Sequence, residues 1–411
     1  MKKTIIDIYG QSAESQRERY SKIAGEFAKL FPNVDISALR YFSAPGRTEI
    51  SGNHTDHNHG KVLAAAVNLD AVCAASANDT GIITVYSKGY EAPFTVSVAD
   101  IEMCEEEKNT TVSLIKGVCA GIKQAGGDVG GFDCYMESSV AVGSGLSSSA
   151  AVEVLVCTVL DCLYGGGNMQ PVKRAQIAQF AENEYFGKPS GLMDQAVSSV
   201  GGLVKIDFGR EEPVVEQIDA DFVAKKFAIV VVGTGSSHDD LTHHYAAIPN
   251  EMKLVSGFFG KSVLREIGEL EFLKAIPALK KVVPERAILR AMHFFAENRR
   301  VDKMVAALEE DCFSFFLREA IASGDSSWRL LQNVYAQGTD QSLALALAVS
   351  ENLLKGCGAW RVHGGGFAGT IQAFVPDEKL DEYTSAMDGI FGEGACCVLS
   401  VREIGAAEVT L

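Results

Sequence analysis

Apolar positions recur at helical spacing in QSAESQRERYSKIAGEFAKLF, residues 11–31, with Tyr20, Ile23, Phe27, Leu30 and Phe31 on or near one face. The stretch YFSAPGRTEISGNHTDHNHGKVLAAAVNLDAVCAASA opens polar and glycine-bearing, then closes on an apolar run that reads as a buried strand or helix. Alternation in TGIITVYSKG and APFTVSV predicts two strands. SLIKGVCAGIKQAGG predicts a helix ended by Gly126 and Gly127. GFDCYMESSVAVGSGLSSSAAVEVLVCTVLDCLYGGG predicts a strand, a glycine-rich turn, and a helix apolar nearly all round and therefore buried. Pro171 begins a further helix, PVKRAQIAQFAENEYFG, and Gly187 stops it. KKFAIVVVG is a predicted strand, and RVHGGGFAGTIQAFVP places a late glycine-rich turn between apolar elements. Strands and helices mix without a regular βαβ rhythm, which favours the α+β class. The charged run DFGREEP is the expected domain boundary, dividing the chain into 1–210 and 211–411.

Composition narrows the function classes. The 411 residues carry 37 Lys+Arg against 53 Asp+Glu, a net charge of −16, with 47% hydrophobic and 22% charged residues. Such a chain buries a sizeable core and is long enough for two domains. Its acidity speaks against a dedicated nucleic-acid binder but leaves room for a local basic pocket. The ten cysteines include no CxxC pair, and several sit inside apolar runs, as reduced buried thiols do. Asp7 interrupts the first apolar stretch, and no run approaches the ~20 apolar residues of a membrane helix. The expectation is a cytoplasmic protein with small-molecule partners, no nucleic acid and no membrane, as a monomer or weak homodimer.

Candidate chemistry lies in three places. Gly143, Ser144, Gly145, Leu146, Ser147, Ser148 and Ser149 stand at the mouth of a predicted helix. Glycine backbone and unpaired first-turn amides there form an anion cradle, and a serine hydroxyl could ligate Mg²⁺. The loop is neither a Walker motif nor a dinucleotide fingerprint, and its bland reading is a serine N-cap. Arg47, Glu49, Asn53, His54, Asp56, His57, Asn58 and His59 crowd a short polar stretch beside an apolar run. Burying so many polar groups without a ligand is costly, so the stretch suits a wall that reads sugar hydroxyls; a metal site or a satisfied polar loop are the rivals. Asp194, in GKPSGLMDQAVSSVGG, is an acid in an apolar turn that calls for a cation such as Arg47. Such a pair suits a base for a hydroxyl, although a helix cap or a structural acid would look the same.

Together these segments resemble a known family. PGRTEISGNHTDHNHGKVL is similar to the galactokinase signature GRxNLIGEHTDYNxGxVLP, and SGLMDQ to its CGIMDQ segment. VGSGLSSSAA resembles the PxGxGLSSSAA loop of the GHMP sugar and metabolite kinases, and RVHGGGFAGTIQAF their third motif. The resemblance implies a two-domain α+β GHMP-kinase fold with its active site between the N- and C-terminal domains. It also implies transfer of the γ-phosphoryl of ATP, with Mg²⁺, to the anomeric hydroxyl of galactose or a close relative. On it, Asp194 orients or deprotonates that hydroxyl and Arg47 neutralises charge, a guanidinium being protonated at any physiological pH. The loop 143–149 holds the triphosphate, and Ser149 with Glu182 holds the metal. Asn53, His54, Asp56, the backbone at Gly191, and Tyr245 bind the sugar.

Departures from the pattern open alternatives. Asn53 stands where the family has Glu and Glu49 where it has Asn, as if the two side chains were exchanged. In the family that Glu contacts the C6 hydroxyl, so an amide there could admit a carboxylate, making galacturonate an alternative substrate. Ala141 replaces a proline, Ala368 a glycine, and the arginines usual after Tyr245 are absent. A non-catalytic sugar sensor on the same fold and a metal-dependent hydrolase built on the histidines complete the alternatives.

Overall fold

The apolar run 61–78 is a strand, although its alanines carry good helix propensity. Tertiary pairing outweighs that propensity because the run is flanked by partners on both edges and buried on both faces. The computed structural model describes residues 2–141, 145–220, 222, 224–235, 241–334 and 339–411. Its first eight strands are β1 (Lys2–Thr4), β2 (Arg40–Ser51), β3 (Lys61–Asn78), β4 (Ile82–Ser87), β5 (Phe94–Ser97), β6 (Gly131–Ser138), β7 (Leu203–Asp207) and β8 (Val214–Ile218). A second sheet holds β9 (Phe227–Gly233), β10 (Ala359–Val362), β11 (Thr370–Pro376) and β12 (Cys396–Leu399) in the order β10-β11-β9-β12. The chain then returns to the first sheet with β13 (Ala407–Thr410), between β1 and β2. Residues 208–213, expected to mark the division of the chain, form the turn of the antiparallel β7–β8 hairpin, so the crossing to the second sheet comes after Ile218.

Strand β3 organises the first sheet. It pairs with β2 along one edge; on the other it meets β7 through residues 61–65 and β6 through residues 71–78. Leu63, Ala65, Ala71, Cys73 and Ala75 join the main core with helices Thr111–Gln124 and Ser148–Tyr164. Val72 and Ala74 pack with helix Ala13–Leu30, and Val62, Ala64 and Ala66 with helix Met193–Val200. The short alanine side chains let these helices approach the strand closely. The β2–β3 register shifts between Pro45 and Arg47 and again between Glu49 and Ser51. Such irregularities re-aim side chains, and here they frame Arg47 and Glu49.

Helix Glu285–Glu309 supports the polar stretch from below. Its buried Glu297 accepts hydrogen bonds from Ser51 Oγ, the Gly52 amide and Ser323 Oγ, each at 3.0 Å, and pairs with Arg300. Burial would raise the Glu297 carboxyl, but Arg300 and His293 outweigh it and hold it at about 2. One turn earlier on the same face of the helix, His293 Nε2 donates to the Asn53 carbonyl at 2.9 Å. Replacing Glu297 by Ala should cost about 3–5 kcal/mol in denaturant unfolding, because it strips a buried charge network of its acceptor. The Glu297 carboxyl is depressed on folding, so its contribution is present above the ordinary value of 4.5 and is lost as the pH falls toward 2. The alanine variant should lose that part of the acid-unfolding profile.

Candidate active site between the two sheets

Arg47 and Asp194, 147 residues apart, form a two-pronged ion pair: Nε donates to Oδ1 and Nη2 to Oδ2, both at 2.7 Å. Arg47 reaches the pair from the irregular part of β2, and Asp194 lies in the first turn of helix Met193–Val200, where an acid also suits the helix dipole. A third prong, Nη1, donates to the Gly145 carbonyl, and the Arg47 amide donates to the Leu146 carbonyl at 3.0 Å. Ser147 is the residue before helix Ser148–Tyr164, in a left-handed conformation, and its hydroxyl donates to Asp194 Oδ2 rather than capping the helix. The guanidinium, the carboxylate and the helix mouth therefore meet at one point. Of the expected phosphate loop, Gly143 and Ser144 lie outside the described residues.

The helix mouth leads to a second acid. Helix Pro171–Phe180 widens into a π-type turn, Ala181–Phe186, which carries Glu182 inward. Such turns recur at functional positions. Glu182 Oε1 accepts from Ser149 Oγ at 3.1 Å and Lys188 Nζ at 2.8 Å; Oε2 accepts from Ser190 Oγ at 2.5 Å and Gln195 Nε2 at 2.8 Å. Gln195 also donates to buried Glu153, whose other oxygen has no partner among the described residues. Burial, and then the charge of Glu182, push the Glu153 carboxyl well above its ordinary range. Ser149 and Glu182 offer the hard oxygen donors that Mg²⁺ takes, so the residues fit that ion.

The polar stretch closes the other side. Asn53 is buried, with Nδ2 donating to Glu49 Oε1 at 3.0 Å and to the Gly364 carbonyl at 2.5 Å, while its Oδ1 accepts from Asn333 Nδ2 at 2.8 Å. The two residues that look exchanged in the sequence are thus bonded to each other. Glu49 also faces Arg361 at 3.4 Å, yet burial keeps its carboxyl above the usual range. His54 meets the Gly365 carbonyl through Nε2 at 3.0 Å, and burial brings its ring down to about 4. Burial would raise the Asp56 carboxyl, but the His57 ring at 3.4 Å more than offsets this and keeps it low. A Cβ on Gly191 would stand 2.3 Å from Asp56 Oδ2, so only glycine lets that backbone lie against the carboxylate. Tyr245 Oη donates to the Gly366 carbonyl at 2.7 Å, on the third glycine-rich turn.

These groups surround two adjoining cavities. The inner one, about 200 Å³, is lined by Arg47, Asn53, His54, Asp56, Met193 and Gly364. The outer one, about 660 Å³, shares His54 and Asp56 and adds His57, Gly191 and Tyr245. Arg47, Asn53, His54 and Asp56 line the inner cavity, and Arg47 holds Asp194, which also accepts from Ser147 at the helix mouth. Among the described residues, no group of three or more His, Cys, Asp and Glu side chains is arranged to hold a metal ion, the histidines included.

Comparison with known proteins agrees with this arrangement. Residues 25–77 match the galactokinase galactose-binding signature and residues 113–202 the N-terminal domain of GHMP kinases. The galactokinase of Streptomyces coelicolor is 30% identical over 357 residues, 85% of this chain and 88% of that protein. The chain belongs to the galactokinase family. It is therefore a sugar kinase, and the galactokinase of Actinobacillus pleuropneumoniae serotype 3 gives the same identity over 365 residues, 86% of this chain and 89% of the other. The solved Lactococcus lactis galactokinase, complexed with galactose, superposes with a TM-score of 0.80 at 24% identity, covering 95% of this chain and all of the other. A mevalonate kinase superposes at 0.62 with 14% identity, covering 88% and 99%. The fold is thus the mixed helix-and-sheet fold of the GHMP kinases.

Several contributors escape a sequence reading. Glu153, Arg361 and Asn333 act through partners far away in the chain, Lys188 reaches back to nearby Glu182, and Asn333 sits in a segment with no motif. Gln195, directly after Asp194, is the one that adjacency could have flagged. In an NMR titration the His54 ring should stay neutral from pH 8 down to about 5, because its pKa lies far below that of a free imidazole. A midpoint near the ordinary 6.5 would contradict the burial described.

Proposed function

We propose that this galactokinase-family protein transfers the γ-phosphoryl of ATP to the anomeric hydroxyl of galactose. The observation that carries this reading is the Arg47–Asp194 pair, held at 2.7 Å, with Arg47 lining the inner cavity and Ser147 of the helix mouth donating to the same carboxylate. Phosphoryl transfer demands alignment and charge compensation more than covalent work by the protein. Asp194 accepts the hydroxyl proton, or its hydrogen bond, and aims the oxygen at the phosphorus. Arg47 fixes the carboxylate in one orientation through both prongs and places its charge beside the transferred group. Ser147, Ser148 and the first-turn amides of the helix face the polyphosphate. Ser149 and Glu182 would hold Mg²⁺, which supplies positive charge to the phosphate oxygens. His54, Asp56, the Gly191 backbone and Tyr245 bind sugar hydroxyls from the other side of the cleft.

Neither alternative draws support. Asn53 spends both amide hydrogens and its carbonyl inside the protein, leaving no free group to favour a uronate at C6. A pure sensor has no use for Asp194 and Glu182 gathered with Arg47 and Ser149. A coupled assay with ATP and Mg²⁺ should show turnover of galactose well above galacturonate, N-acetylgalactosamine, glucose and mevalonate; preferred turnover of any of the other four would overturn the substrate. Asp194→Asn should lower kcat on the order of 10²–10⁴-fold while calorimetry still detects galactose binding. Near wild-type turnover in that variant would remove Asp194 from the chemistry.

A further inference from the structure

Glu182 is a fully engaged carboxylate. Its two oxygens offer about four lone-pair sites, and four donors occupy them: Ser149, Lys188, Ser190 and Gln195. A cation that joins Ser149 to Glu182 must therefore displace one donor. Ser149 would itself be a ligand of that cation. Ser190 and Gln195 are neutral, and Gln195 is buried and tied to Glu153 as well. Lys188 differs from all three: it is positively charged, and its side chain is 56% exposed while Glu182 is 2% exposed. An arriving divalent cation repels the ammonium and leaves Ser190 and Gln195 in place.

The backbone leaves the Lys188 side chain free to move on its own. Gly187, in the left-handed region, and Lys188 both donate their amides to the Glu182 carbonyl at 3.1 Å. These bonds anchor the start of the loop while the long side chain crosses back over the carboxylate. Lys188 shares Glu182 Oε1 with Ser149, in the first turn of the phosphate-facing helix. A short swing from that oxygen carries the ammonium to the space in front of the helix mouth, where polyphosphate oxygens would lie.

We propose that Lys188 is a placeholder for the metal, neutralising Glu182 in the empty enzyme and turning to the nucleotide phosphates when the metal–nucleotide complex enters. The proposal rests on the kinase reading of this site. It makes Lys188 a nucleotide-binding residue that only the loaded state reveals, and it keeps the buried carboxylate compensated at every stage. Two measurements on the full-length protein test it without relying on turnover. Calorimetric titration with ATP and Mg²⁺ should give a dissociation constant about tenfold weaker for Lys188→Met than for wild type, with Lys188→Arg restoring most of the affinity. Acetylation of Lys188, followed by peptide mass spectrometry, should be slowed severalfold by ATP with Mg²⁺ but not by galactose alone. Wild-type affinity in Lys188→Met, or labelling of Lys188 indifferent to nucleotide, would overturn the placeholder while leaving the kinase reading intact. Absence of any nucleotide binding by the wild-type protein would overturn both.

Discussion

Everything in the cleft depends on one charge-compensated contact, the fork of Arg47 closing on the carboxylate of Asp194. A guanidinium and a carboxylate that meet through two parallel hydrogen bonds have little rotational freedom left. The third nitrogen then reaches the Gly145 carbonyl, so the same arginine sets the position of the loop that leads into helix Ser148–Tyr164. Because Arg47 belongs to a strand and Asp194 to a helix packed on that sheet, the geometry is inherited from the rigid core rather than from loop conformation. A partly buried pair of this kind is weak evidence for stability, since desolvation offsets much of the attraction. Its value here is orientation.

A second layer of buried polar contacts ties the glycine-rich turn at 364–367 to the polar stretch at 52–58. Asn333 donates one amide nitrogen both to Asn53 and to the Gly365 carbonyl, and its own carbonyl accepts from the Phe367 amide at 2.5 Å. Arg361 reaches the Glu49 carbonyl at 3.0 Å from the second sheet. His363 bridges Thr48 and Thr370, again linking the two sheets, and burial together with Arg47 and Arg361 holds its ring far below the ordinary value and hence neutral. These contacts act as hinge pins: neutral or internally compensated, they hold the walls of the cleft in register without adding free charge to it.

Much of this was legible in the chain. The helix over 11–31 appears as Ala13–Leu30, and the glycine–serine turn does lead into a helix buried along most of its length. The convergence of Arg47 with Asp194, and of Ser149 with Glu182, follows the motif residues. What stayed illegible has a physical reason. The run 61–78 carries no decisive period because both faces are buried, so only its strand partners settle its conformation. The return of β13 to β1 and β2 is a long-range pairing that no local window contains. Lys188 and Asn333 matter through what they touch, and neither stands in a pattern that announces a partner.

The insertion of β13 between β1 and β2 bears on how the molecule comes into being. Thr4 pairs with Thr410, and Tyr41 with Val409, so the first sheet stays open along one side until the ribosome has released residue 410. During synthesis the β2 backbone therefore presents an unsatisfied edge for as long as the whole second sheet takes to emerge. Until residues 407–410 cover it, a chain of this architecture carries a bare strand flank, the kind of edge at which wrong pairings form.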